Sequence, residues 1–105
     1  MAKVRDLTPT EVARGLTEGT MLMVDVREAR EIQMERIAGS QFLPMSMFDP
    51  GAIPDPEGRT VVFACASGIR SVTASEIAQA AGLPYDAHLA GGLKAWKAAG
   101  LPVEN

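Results

Sequence analysis

Apolar and polar positions along the 105-residue chain switch repeatedly between helical and extended spacing. Thr8-Pro9-Thr10-Glu11 puts a hydroxyl, a proline and a glutamate in the order of a capping box with proline at the first helical position. This predicts a helix from about Pro9 to Leu16, ended near Gly19. Met21 to Val26 is an apolar run too short for a freestanding helix and reads as a buried strand whose end delivers Asp25 and Arg27. Glu28 to Arg36 is charged on one side and reads as a short surface helix, and Phe42-Leu43-Pro44 as a brief strand stopped by proline. Pro50, Gly51, Pro54, Pro56 and Gly58 break the next stretch, leaving an exposed connection with one helical turn around Met45 to Phe48. Thr60 to Cys65 is β-branched, aromatic and apolar on both faces, the pattern of a central strand in a parallel sheet. An alanine-rich helix follows from about Ile69 to Ala81, with Val72, Ile77 and Ala78 suited to its inner face. Tyr85 to Leu89 reads as the last strand, and Gly92 to Ala99 as the last helix.

This alternation implies an α/β fold with a central parallel sheet of four to five strands flanked by helices, taking its ligands outside the strand carboxyl ends. Residues 1–105 suit one domain, and 47% hydrophobic with 22% charged residues is a globular composition rather than a disordered one. Ten basic against thirteen acidic residues give a net charge of −3, so no basic field exists to attract nucleic acid or anionic lipid. The start, Met1-Ala2-Lys3-Val4-Arg5-Asp6, lacks the apolar core of a secretory signal, and no stretch reaches membrane-spanning length, so a cytoplasmic protein with no membrane partner is expected. One cysteine and one histidine exclude an internal disulfide and a structural zinc site, and nothing in the sequence calls for a metal or an organic cofactor.

Covalent chemistry therefore falls to Cys65. A cysteine at a strand end is ordinarily a small buried hydrophobe, but this one opens the loop Ala66-Ser67-Gly68-Ile69 and is followed by Arg70 and Ser71 at the start of a helix. Inward-facing loop amides and the positive helix end stabilise a thiolate, and Gly68 lets the loop turn tightly. Arg70 can pair with an anionic substrate group, and Ser71 can hydrogen-bond the sulfur or cap the helix. Asp25 and Arg27 end a strand at the same sheet edge and are expected to support neighbouring loops. Arg27 and Glu31 are four apart and can pair along a helix, while Glu28, Glu31 and Glu35 read as a solvated face. Trp96 reads as core packing, Met45, Met47 and Phe48 as packing under a long loop, and Gly91-Gly92 as a tight strand-to-helix turn.

Four segments together resemble the signatures of the rhodanese-like sulfurtransferase family: Asp25-Val26-Arg27-Glu28; Ile37-Ala38-Gly39-Ser40 followed by Pro44; the Cys65 to Ser71 loop; and Leu89-Ala90-Gly91-Gly92 with Trp96 and Gly100-Leu101-Pro102-Val103. Glu35-Arg36 stand where that family often has Gly-His, and His88 matches none of its catalytic positions. The resemblance implies a double displacement. Cys65 takes the outer sulfur of thiosulfate or of a persulfide, the amides of Ala66 to Ser71 hold the persulfide, and cyanide, a thiol or a protein acceptor removes it. With no second cysteine, the acceptor comes from outside the chain. A sulfur-carrier or docking module for a dedicated protein partner would use the same loop. A cysteine-dependent phosphatase or arsenate reductase fits less well, because those enzymes place five residues between cysteine and arginine where this chain has four, Ala66 to Ile69. Because Arg70 is the loop's one basic residue, thiosulfate is expected to bind weakly; steady-state kinetics should give a KM far above micromolar.

Overall fold

A computed structural model describes residues 3–105, so the reading of the Met1-Ala2 start lies outside the described residues. In chain order its main elements are β1 (Arg5–Leu7), α1 (Pro9–Glu18), β2 (Met21–Asp25), α2 (Ala29–Met34), β3 (Gln41–Phe42), β4 (Thr60–Ala64), α3 (Arg70–Ala80), β5 (Ala87–Leu89) and α4 (Gly92–Ala98). The five strands form one sheet in the order β1-β5-β4-β2-β3, with every pairing parallel. The α/β fold with a parallel sheet is thus as expected, and β4 is its middle strand, which explains why Val61, Val62 and Phe63 are all buried. Among the described residues no helix is long and apolar enough to cross a membrane.

Alternation along the strands divides the core in two. Met23, Val62, Ala64, Ala87 and Leu89 face one side with Val12, Leu93 and Trp96, where α1 and α4 cover the sheet. Leu22, Val24, Val61, Phe63 and Cys65 face the other with Ala74 and Ala78 of α3. Thr8 caps α1 as its sequence implies: its hydroxyl accepts from the Glu11 amide, and the Glu11 carboxylate accepts from the Thr8 amide. Trp96 is buried and donates its indole N–H to the Pro102 carbonyl at 2.9 Å.

Several expectations need correction. Strand β1 is an addition to the expected elements: three residues at a sheet edge, two of them exposed, carry too little pattern to register in the sequence. The inner face of α3 is Ser71, Ala74, Ser75 and Ala78, not Val72 and Ile77, and Ile77 is exposed. Small side chains at this i, i+3, i+4, i+7 spacing let the helix lie close to the sheet. The surface helix ends at Met34 because Arg36 turns away to pair with Glu104 in an antiparallel bridge. The brief strand is Gln41–Phe42, and the last strand narrows to Ala87–Leu89. The connection after β3 contains short 3₁₀ turns at Met45–Met47 and Pro50–Ala52 and is not wholly exposed: Met45, Phe48 and Ile53 pack on the α3 side of the core, and the ring of Phe48 meets Phe63 edge-on at 5.9 Å.

Asp25 and Arg27 are 2% and 3% exposed, so their charges must satisfy each other. The Arg27 guanidinium donates to both Asp25 oxygens at 3.0–3.1 Å and to the Glu35 carbonyl at 2.9 Å, tying the end of β2 to the far end of α2. The helical pair between Arg27 and Glu31 side chains does not form. Replacing Arg27 by methionine leaves a buried, uncompensated carboxylate and should cost about 3–5 kcal/mol. A denaturant titration checks this, and the double variant Asp25→Leu with Arg27→Met should be less destabilised than Arg27→Met alone.

Candidate active site

The chain leaves the carboxyl end of β4 at Cys65 and turns sharply into α3. Cys65 is 1% exposed, and its Sγ accepts hydrogen bonds from the amides of Gly68 at 3.1 Å and Ser71 at 3.3 Å. The Ser71 Oγ lies 3.4 Å from the sulfur, so Ser71 serves the sulfur rather than capping the helix. Burial pushes the Cys65 thiol up, but the Ser71 hydroxyl and the amides of Ser71, Gly68 and Ser67 outweigh it and hold the thiol below its ordinary range. Ser67 and Ile69 are exposed, Ile69 at 74%.

The carbonyls that open the loop need donors of their own. The start of α4 supplies them: the Leu93 amide donates to the Cys65 carbonyl at 2.8 Å and the Lys94 amide to the Ala66 carbonyl at 3.0 Å. This close approach requires glycine at position 92, where φ is +62° and a Cβ would overlap the Cys65 carbonyl oxygen. Gly68, at φ +97°, is likewise crowded, since its Cβ would lie 3.0 Å from the Gly91 amide nitrogen. Gly92 is therefore a site residue as well as a turn residue.

Arg70 does not stand free as expected. Its guanidinium donates twice to the Glu31 carboxylate, at 2.7 and 2.9 Å. Nor are Glu28, Glu31 and Glu35 merely solvated: Glu28 accepts from the Ser46 amide and hydroxyl, Glu31 holds Arg70, and Glu35 pairs with Lys97. Beside the loop lies a cleft of about 330 Å³ whose walls include Glu31, Met34, Ala66, Leu93 and Lys94. Of the cations on that wall, Lys94 alone has no carboxylate partner among the described residues.

His88, which matches no catalytic position of the family in the sequence, is the main residue that the structure adds to the site. It is 4% exposed, with Nδ1 2.8 Å from Ser71 Oγ and Nε2 2.6 Å from Asp6 Oδ1. The parallel register that sets Asp6 beside His88 was the signal, but it depends on β1, which could not be read. Asp25 and Arg27 are engaged with each other, and Arg27 is part of the cleft wall.

The Glu31–Arg70 pair has a measurable signature. Arg70 holds the Glu31 carboxyl at about 2, below its ordinary 4.5, so the pair's stabilisation is complete above pH 4.5 and disappears as pH falls towards 2. With 28% of Glu31 and 35% of Arg70 exposed, solvent screening limits it to about 1 kcal/mol. Thermal melts of the wild type and Glu31→Gln should differ by this amount at neutral pH and converge on acidification through that window.

A family model for the rhodanese-like domain matches residues 8–99. An uncharacterised Synechocystis protein is 38% identical over 97 residues, 92% of this chain and 54% of that protein. The probable adenylyltransferase/sulfurtransferase MoeZ of Mycobacterium tuberculosis is 36% identical over 90% of this chain and 25% of its own length. A sulfurtransferase of Allochromatium vinosum is 35% identical, covering 79% of this chain and 78% of that one. The chain thus spans about half of the first relative and a quarter of the second. Among solved structures, a Rhodopseudomonas palustris protein of unknown function, described as a possible tyrosine phosphatase, superposes with a TM-score of 0.81 at 34% identity, covering 96% of this chain and 85% of that chain. With the sulfur cradle at the carboxyl end of the middle strand and the match running from α1 through α4, this chain belongs to the rhodanese-like domain family.

Proposed function

We propose that the chain is a sulfurtransferase that carries sulfane sulfur on Cys65. The observation that carries this reading is the sulfur held by two main-chain amides beside a hydroxyl. Such a site stabilises an anionic sulfur without enclosing it in net charge. In the first half-reaction the Cys65 thiolate attacks the outer sulfur of the donor. With thiosulfate, the S–S bond breaks, its electron pair leaves on sulfite, and Cys65 keeps a persulfide. In the second, cyanide or an acceptor thiolate attacks the outer sulfur of that persulfide and Cys65 departs as the thiolate. Ala66, Ser67, Gly68, Ile69, Arg70 and Ser71 form the binding loop, and Asp25 and Arg27 are supporting residues.

The sulfurtransferase names among the relatives support this chemistry, and the four-residue spacing between Cys65 and Arg70 argues against the phosphatase alternative. A second reading, a sulfur carrier serving a protein donor or acceptor, is favoured by two features. Arg70 is neutralised by Glu31, which leaves a dianionic donor little to bind except Lys94. Ile69 on the loop and Met34 on the cleft wall are 74% and 77% exposed, an apolar rim suited to protein contact.

Intact mass spectrometry tests the reading. Incubation with thiosulfate, or with a small-molecule persulfide, should add about 32 Da to the wild type and nothing to Cys65→Ser, and cyanide should remove the added sulfur. A wild type that gains no sulfur from either donor would overturn it.

A further inference from the structure

The sulfur, the serine, the histidine and the aspartate form one continuous chain of polar atoms. From Cys65 Sγ the spacings are 3.4 Å to Ser71 Oγ, 2.8 Å from there to His88 Nδ1, and 2.6 Å from Nε2 to Asp6 Oδ1. Cys65, Ser71 and His88 are buried, whereas the Asp6 side chain is 75% exposed, so the chain runs from a sealed sulfur to water. Three elements pack against β5, and each contributes to it: β1 brings Asp6, the end of β4 brings Cys65 and α3 brings Ser71. Gly68 lies against the ring edge, Phe63 is the apolar partner of His88 on β4, and Arg5 is turned to Asp86. No other charged side chain among the described residues is hydrogen-bonded to the ring.

Donor and acceptor rules restrict this chain to two proton arrangements. Asp6 is a solvated carboxylate and can only accept, so Nε2 carries a hydrogen in both. When Cys65 is a thiol, its S–H donates to Ser71 Oγ, the Ser71 hydroxyl donates to Nδ1, and the ring is neutral. When Cys65 is a thiolate, the Ser71 hydroxyl donates to the sulfur. Ser71 Oγ then accepts from a hydrogen on Nδ1, and the ring carries hydrogen on both nitrogens. Moving the sulfur's proton to Ser71 as the hydroxyl's own proton moves to Nδ1 converts the first arrangement into the second, with no change in total charge and every buried polar atom satisfied in each.

We infer that Cys65 and His88 form a thiolate–imidazolium pair bridged by the Ser71 hydroxyl, with Asp6 holding the imidazolium from the solvent side. This deepens the sulfurtransferase reading and rests on it for its purpose. The pair stores the thiol's proton on His88 while the sulfur attacks a donor, and it stabilises Cys65 as the leaving thiolate when an acceptor takes the outer sulfur. His88 and Asp6 never touch the substrate and act as positioning residues.

A chain with one cysteine and one histidine allows both partners to be followed without ambiguity. The His88 ring is titrated by NMR in the wild type and in Cys65→Ser, and the Cys65 thiolate by its ultraviolet absorbance in the wild type and in His88→Asn. A bridged pair makes each charge favour the other. The His88 ring should keep its second proton to a pH about one unit higher in the wild type than in Cys65→Ser, a tenfold change in its proton affinity. The Cys65 thiolate should form only at a pH higher by a comparable amount in His88→Asn, because the coupling is reciprocal. Identical His88 midpoints in the wild type and Cys65→Ser would overturn the pair, and that comparison decides the matter even if His88→Asn does not fold. Neither readout uses a sulfur donor. An uncoupled His88 in a protein that still gains sulfur removes the pair alone, and coupled titrations in a protein that gains none remove the transferase reading alone.

Discussion

The contact on which the site depends is between α4 and the two carbonyls that open the Cys65 loop. The Cys65 and Ala66 carbonyls lie where the chain turns out of β4, and a carbonyl left buried without a donor is costly. The Leu93 and Lys94 amides, unpaired within their own helix because they lie in its first turn, accept that role for Cys65 and Ala66. One set of unsatisfied helix-end groups thus cancels another set at the opening of the loop, and further along the loop the Gly68 and Ser71 amides are aimed at Sγ. The arrangement works only at van der Waals range of two backbones, which is why the chain has glycine at position 92 and why Gly68 meets the Gly91 backbone.

Charge is handled differently from dipoles around the same sulfur. Among the described residues each cation near the loop other than Lys94 is bound by a carboxylate: Arg27 by Asp25, Arg70 by Glu31 and Lys97 by Glu35. The last two pairs join α2 to α3 and the end of α2 to α4, and the Arg27 bond to the Glu35 carbonyl joins β2 to the end of α2, so the short helix α2 is fixed from three sides despite burying no residue of its own. The consequence for chemistry is that the sulfur anion is stabilised by oriented N–H and O–H groups. Such dipoles lose less to salt than free surface charges, and they do not preferentially recruit dianions from solution.

Sequence pattern made most of this fold legible because β2, β4 and α1 each carry a strong local signal: an unbroken apolar run, a β-branched run ending at Cys65, and a capping box. The loop from Cys65 to Ser71 was legible for the same reason, since its residue types have few other uses in that order. What escaped the sequence are features whose cause lies in a distant segment. Nothing local distinguishes Glu31 as the partner of Arg70 from Glu28 or Glu35. The inner face of α3 is small and mixed, so its side-chain types point to Ala78 correctly but to Val72 and Ile77 wrongly, and only the closeness of the sheet explains Ser71 and Ser75. Strand β1 is three residues long and two of them are exposed. Without it, Asp6 has no address and His88 Nε2 has no partner.

That omission has physical weight because β1 is an edge strand attached through β5 alone. Its hold consists of a three-residue parallel register reinforced by the Arg5 amide on the Asp86 carbonyl at 2.6 Å and the Ala90 amide on the Leu7 carbonyl at 2.9 Å. Leu7 enters the core on the α1 and α4 side, while Asp6, one residue away, faces the α3 side. Period-two alternation therefore makes a single short strand serve both layers: its apolar residue secures the strand, and its acidic neighbour satisfies the buried imidazole. A one-residue slip in this register would carry Leu7 out of the core and Asp6 away from His88 together. The packing of one leucine thus fixes where a carboxylate stands at the far end of the polar chain that begins at Cys65.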